Sequence, residues 1–171
     1  MEDTHLQELA ERVGEALTAR GILLATAESC TGGWIAKVVT DIPGSSCWFD
    51  CGFIVYNRNA KQSMLGVPAS VIDENGEVSE PTVRALAEGA LSRSRAAVTV
   101  AVSGIAGPSG GTPDKPVGTV CFAWGEADMV AGAVRNIQIH SVTCRFDGDR
   151  EAVRRQAVHH ALEGVLQLLE T

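Results

Sequence analysis

No stretch of the 171-residue sequence approaches the ~20 consecutive apolar residues that a membrane-spanning helix needs. A basic excess is also missing: 14 Lys and Arg stand against 21 Asp and Glu, a formal net charge of −7. General nucleic-acid binding needs a cationic face to neutralise phosphates and is not expected, although the balance still allows a local basic pocket for one anionic ligand. The five cysteines, Cys30, Cys47, Cys51, Cys121 and Cys144, are odd in number and scattered. That pattern suits reduced thiols in a cytoplasm better than a disulfide frame. Cys47 and Cys51 have no second close pair and no histidine at zinc-finger spacing, and His159 and His160 lack the i,i+4 separation of a helical metal pair, so no metal site is expected. The start, MEDTHLQELAERVG, is polar and amphipathic and does not read as a secretory signal. Internal repeats and linker-like stretches are absent, and neither a Walker pattern nor GxGxxG occurs, so ATP or dinucleotide binding is unsupported.

What is present is an ordinary globular composition, 45% hydrophobic and 20% charged, and residues 1–171 are read as one domain. Leu6, Leu9, Ala10, Val13, Ala16 and Leu17 repeat at helical spacing, with Thr4 and Gln7 resembling a capping box and Gly21 ending the helix. ILLATA (22–27), WFDCGFIVY (48–56), AAVTVAVSG (96–104), VGTVCFAW (117–124) and VRNIQIHSVTCRF (134–146) read as strands. Helices are expected over WIAKVVTDI, around NAKQSML, from Ser79 with Pro81 in the first turn, and from about Asp149 to Leu169. The alternation predicts a three-layer α/β/α domain with a mixed sheet, because the hairpin-like final strands do not fit a purely parallel one.

Three stretches have the composition of a site. In TAESCTGG (26–33) a strand runs into a turn and a helix start, so the N–H groups of Thr31, Gly32 and Gly33 can face an anion, with the hydroxyls of Ser29 and Thr31 nearby. The same residues would also serve a capped helix whose glycines only permit close packing. Cys30 is either a helix-start nucleophile or a buried thiol, and Glu28 either holds a hydroxyl or pairs with a turn N–H. SGIAGPSGGTPDKPVGTV (103–120) leaves a strand as a glycine-rich loop around Ile105 and Ala106, the kind of loop that builds ligand crevices in α/β folds. GSSCWFDCGFIVYNRNAK (44–61) supplies Ser, Tyr and Lys close together, and a neutral lysine can take a proton from serine. An edge loop, a strand aromatic and a solvated lysine would look the same.

Four blocks in order, TAESCTGGWIA, TDIPGSSCWFDCGFIVYNRNAK, VSGIAGPSGGTPDKPVGTV and FDGDREAVR, resemble the CinA carboxy-terminal domain family, whose characterised members are nicotinamide-nucleotide amidases. The resemblance covers most of the chain and is to the stand-alone form, without the molybdopterin-binding-like domain that often precedes it. It implies hydrolysis of the carboxamide of nicotinamide mononucleotide to nicotinic acid mononucleotide and ammonia, in pyridine nucleotide salvage, with no cofactor. It implies Ser46 as nucleophile, Lys61 as general base and Tyr56 as assisting hydroxyl. Ser29, Thr31, Gly32, Gly33, Ser103 and Gly104 would line the substrate crevice, with Arg150, or less directly Arg145, pairing with phosphate. Ser103 stands where the family often has Thr, and Ser109 where it usually has Gly.

One geometric conflict is visible at once. A straight strand over 48–56, at ~3.3 Å per residue, would hold Ser46 and Tyr56 roughly 30 Å apart. Either the segment bends, for instance at Gly52, or a homo-oligomer shares its active site between subunits. The competing readings are a non-enzymatic nucleotide- or protein-binding accessory module and a thiol enzyme built on Cys30.

Overall fold

The computed structural model describes residues 3–171, arranged as a five-stranded sheet of order β2-β1-β3-β4-β5 with helices on both faces. The expected three-layer mixed α/β arrangement is therefore the observed one. The strands are β1 (Leu24–Glu28), β2 (Phe49–Ile54), β3 (Val98–Gly104), β4 (Thr119–Val130) and β5 (Ala133–Arg145). β1 pairs in parallel with both β2 and β3, whereas β3–β4 and β4–β5 are antiparallel. Among the described residues no helix is long and apolar enough to cross a membrane.

The two layers follow from side-chain alternation along the strands. Val98, Val100 and Val102 of β3 and Val120, Phe122 and Trp124 of β4 pack with α1 (Asp3–Arg20), α2 (Trp34–Thr40) and α6 (Arg150–Glu170). Ala101, Cys121 and Ala123 point the other way, towards α5 (Glu80–Ser92) and the shorter α3 (Arg58–Leu65) and α4 (Ala69–Asn75). Large residues on one face and small ones on the other let α5 sit close to the sheet. Its start is set by Ser79, whose hydroxyl accepts from Thr82 N, with proline in the first turn.

Several element bounds differ from the sequence reading. Thr4 lies inside α1 rather than at its cap. α4 was not expected; of its residues only Ile72 is buried, too little apolar pattern to announce a helix. β4 runs past Trp124 to Val130, because β4 and β5 continue as a partly exposed hairpin beyond the core. Gly52 does not bend β2: it pairs with Thr26, and an added Cβ there would stand 2.7 Å from Thr26 Oγ1.

The connections from β1 leave towards opposite sides, to β2 and then, by way of β2, to β3. That reversal opens a crevice at the carboxyl ends of the three parallel strands. Glu77 and Val78, in the turn before α5, line one wall, and Gly89 permits α5 to touch the end of α3. Gly89→Ala would drive a methyl group into the Leu65 carbonyl, which is backbone and cannot swing aside. We expect a net loss of about 1–3 kcal/mol despite the better helix propensity of alanine, read as a lower urea midpoint; an unchanged midpoint would refute this packing.

Candidate active site

Three strand ends supply the site. Ser29 directly follows β1, Ser103 and Gly104 end β3, and Tyr56 follows β2 by two residues. With Lys61, Glu77 and Arg150 they line a crevice of about 210 Å³. Asn57 caps α3 through its side chain, which accepts from Arg58 N, and this starts the helix immediately beyond Tyr56. Lys61 lies one turn further on. Helical side chains lean towards the amino terminus, so its chain reaches back over the end of β2.

That reach places Lys61 Nζ 3.0 Å from Ser29 Oγ, 3.0 Å from Val55 O and 3.1 Å from Tyr56 O. A fourth partner is Glu77 Oε1 at 3.4 Å. The lysine side chain is only 1% exposed, and burial pushes its ammonium below the ordinary lysine value, while the Glu77 carboxylate pulls it back up. Its position in the first turn of a helix opposes the positive charge as well. A neutral amine has two N–H groups and one lone pair. The two carbonyls can accept both N–H groups, which leaves the lone pair for the Ser29 hydroxyl.

The turn carrying Ser29 is held from two sides. Beneath it, Glu28 is fully buried; its Oε1 accepts from Thr31 Oγ1 at 2.7 Å and Ile35 N at 2.8 Å, and its Oε2 accepts from Ala36 N at 3.0 Å. From α6, Arg154 donates through Nε to Cys30 O at 3.0 Å and through Nη2 to Thr31 O at 3.2 Å. Arg150, one turn earlier on the same helix face, donates to Gly107 O at 2.8 Å and to Tyr56 Oη at 3.2 Å. The two arginines thus tie α6 to both loops that border the crevice.

The remaining expected site residues are placed differently. Ser46 lies in the 3₁₀ turn Ser45–Cys47 just before β2, exposed and at the opposite edge of the sheet from Lys61. Six strand residues at ~3.3 Å each separate the two edges by about 20 Å, so the expected Ser46–Lys61 pair does not form within the chain. Arg145 ends β5 opposite Thr119 and does not line the crevice, so only Arg150 of the two arginines does. Thr31 has turned its hydroxyl inward to Glu28, and with Gly32 and Gly33 it borders a different cavity, of about 490 Å³, against α2 and α6. Cys30 is buried, and desolvation drives its thiol up to about 12, which does not suit a thiolate nucleophile. Sequence reasoning did not single out Glu77 or Arg154. Arg154 had a signal, since it lies four residues after Arg150 in FDGDREAVR; Glu77 had none beyond the turn composition of NGE.

The sequence model of the CinA C-terminal domain matches residues 6–169. The chain belongs to the CinA C-terminal domain family. Among its relatives, the nicotinamide-nucleotide amidohydrolase PncC of Escherichia coli K12 is 52% identical over 167 residues, covering 98% of this chain and 96% of that protein. The protein of the same name from Pseudomonas putida is 49% identical over 160 residues, covering 94% of each. The crystal structure of the competence/damage inducible protein CihA from Agrobacterium tumefaciens superposes with a TM-score of 0.86 at 42% identity, covering 98% of this chain and 96% of that one. Within this CinA-type domain Glu28 is the member of the site with most to lose. Glu28→Gln keeps the shape but turns an amide NH₂ towards the N–H of Ile35 or Ala36. The expected cost is about 1–3 kcal/mol in urea unfolding, and a wild-type midpoint would show that the carboxylate is not needed to hold the turn.

Proposed function

We propose that this chain is a nicotinamide-nucleotide amidohydrolase that releases ammonia from nicotinamide mononucleotide, with Ser29 as nucleophile and Lys61 as its base. The observation that carries the reading is the 3.0 Å contact between Ser29 Oγ and a buried lysine amine, in a crevice at the switch point of the sheet. The names borne by relatives of about half identity supply the substrate class.

In this mechanism Ser29 Oγ attacks the carboxamide carbon as its proton passes to Lys61 Nζ. The ammonium so formed, held by the carbonyls of Val55 and Tyr56, returns that proton to the departing nitrogen. The C–N bond breaks, ammonia leaves and an ester on Ser29 remains. Water then attacks the ester, giving one proton to Lys61, and the acid product departs as Ser29 regains its hydrogen. Cys30 N–H, adjacent to the nucleophile, is the candidate donor to the tetrahedral oxyanion.

A crevice of about 210 Å³ is below the ~300–1,000 Å³ of pockets that enclose a whole ligand, so it takes the carboxamide and ring and leaves the phosphate at the mouth. There Arg150 offers paired donors, and Tyr56, which accepts from Arg150, keeps its own hydroxyl hydrogen for a substrate oxygen. Tyr56 thus acts at the mouth rather than on the lysine, which only its backbone carbonyl touches. Pyridine nucleotide salvage in the cytoplasm is the setting this reading assigns to the reaction. A homo-oligomer through the β2 edge, where Ile54 and Tyr56 are exposed, belongs to the same reading. Sedimentation should show a dimer or larger species at micromolar concentration; a monomer throughout would remove it.

Wild-type protein should release ammonia from nicotinamide mononucleotide equally well with and without chelator. Ser29→Ala should lower kcat by ~10³-fold or more, with Ser46→Ala close to wild type. kcat/KM should rise with pH along a limb below the ordinary lysine range. Full activity in Ser29→Ala would overturn the assignment, and nucleotide binding without ammonia release by the wild type would make the chain a binding module.

A further inference from the structure

Glu77 has no part in the proton transfers above, yet it is held at the crevice by a specific set of bonds. It sits in the turn between α4 and α5, after Gly76, whose φ of +84° favours glycine. The turn is fastened at its neighbours: Ser79 Oγ and Thr82 Oγ1 both donate to Gly76 O, at 2.9 and 2.6 Å, and Lys115 Nζ donates to Asn75 O at 2.9 Å. So fixed, Glu77 is the one carboxylate among the described residues lining the crevice, where Lys61 and Arg150 supply positive charge. Its side chain is 45% exposed, against 1% for the lysine it meets. A carboxylate whose only purpose was to neutralise a buried ammonium would be expected to be buried with it; this one also faces the space a ligand would fill.

An N-glycosylated nicotinamide differs from free nicotinamide in carrying a permanent positive charge on its ring. Bringing that charge into a crevice that already holds two cations requires an anion beside it. We propose that Glu77 is the specificity-determining carboxylate of this site: it pairs with Lys61 Nζ in the empty crevice and turns to the ring cation of an N-alkylated pyridinium carboxamide when one binds. The inference rests on the amidohydrolase reading and names how that site selects its substrate. Once the cation has entered, Lys61 has lost its counter-charge and gained a like charge nearby, and both changes favour the neutral amine whose lone pair Ser29 needs. The other groups facing Lys61 do not replace Glu77. Cys30 stays a thiol, Tyr56 turns only its carbonyl to the amine, and Arg150 is itself a cation. A neutral ring brings no such change and leaves the base covered.

The test compares nicotinamide mononucleotide with its neutral 1,4-dihydro form, which has nearly the same shape. Dissociation constants for both are measured by calorimetry in Ser29→Ala and in Ser29→Ala combined with Glu77→Gln. The preference for the cation should fall by about three- to five-fold when the carboxylate is removed, the upper part of the range expected for one partly exposed charge pair. Glu77→Asp, which keeps the charge on a shorter arm, should retain more of the preference than Glu77→Gln. In otherwise unmodified protein, Glu77→Gln should also move the acid limb of kcat/KM to lower pH, because the group that favours the ammonium has gone. A cation preference unchanged within ~2-fold overturns the proposal even if the limb moves, since the limb alone would show only a structural partner for Lys61. Failure of the amidohydrolase reading is seen separately, as wild-type protein that binds the nucleotide and releases no ammonia.

Discussion

A carboxylate with no solvent at all lies under the centre of this protein, and the site could not stand without the way it is satisfied. Glu28 ends β1 inside the sheet, where an unpartnered charge would cost several kcal/mol. Among the described residues it forms no salt bridge. Instead its two oxygens take the first free N–H groups of α2 and the hydroxyl of Thr31. Those N–H groups would otherwise be orphans of a helix start. One side chain thereby resolves two liabilities, and the turn between strand and helix has a single shape. Ser29 takes its position from that shape.

Lys61 faces the opposite difficulty. Burial and the start of a helix favour the amine, while Glu77 favours the ammonium. In the proposed reaction the base must hold a proton during one half of the cycle and give it up in the other, and these opposed influences support that reading. Val55 O and Tyr56 O stay with the nitrogen in either state, so the change of charge needs no movement of the side chain. The rigidity comes from β2, whose end is tied to β1 by the bond from Val55 N to Glu28 O at 2.9 Å.

α6 links the mouth of the crevice to its floor. Arg150 and Arg154 stand one turn apart, so a single helix face reaches Tyr56 and the glycine-rich loop with one residue and the turn after β1 with the other. Residues from all regions of the chain thus converge on a small volume, while the larger cavity beside Trp34 lies on the far side of the same turn.

The sequence by itself determined the layers, the strand list and the loops that face the crevice. Alternation in AAVTVAVSG and VGTVCFAW, helical spacing in α1 and α6, and the glycine-rich exits from two strands are local patterns, and local patterns survive in one dimension. Lys61, Tyr56, Ser29, Ser103, Gly104 and Arg150 were each named from the sequence, and all six line one crevice. Which serine meets the lysine was not. Ser46 is nearer to Lys61 along the chain, but an intervening strand carries it to the other edge of the sheet. Ser29 is 32 residues away and adjacent in space, because β1 and β2 run parallel and end together. α4, Glu77 and Arg154 were silent for a related reason: their roles lie in contacts with distant elements, and their own neighbours in sequence carry no trace of them. Only tertiary structure decides which ends of strands share an edge, and that edge is where the crevice is lined.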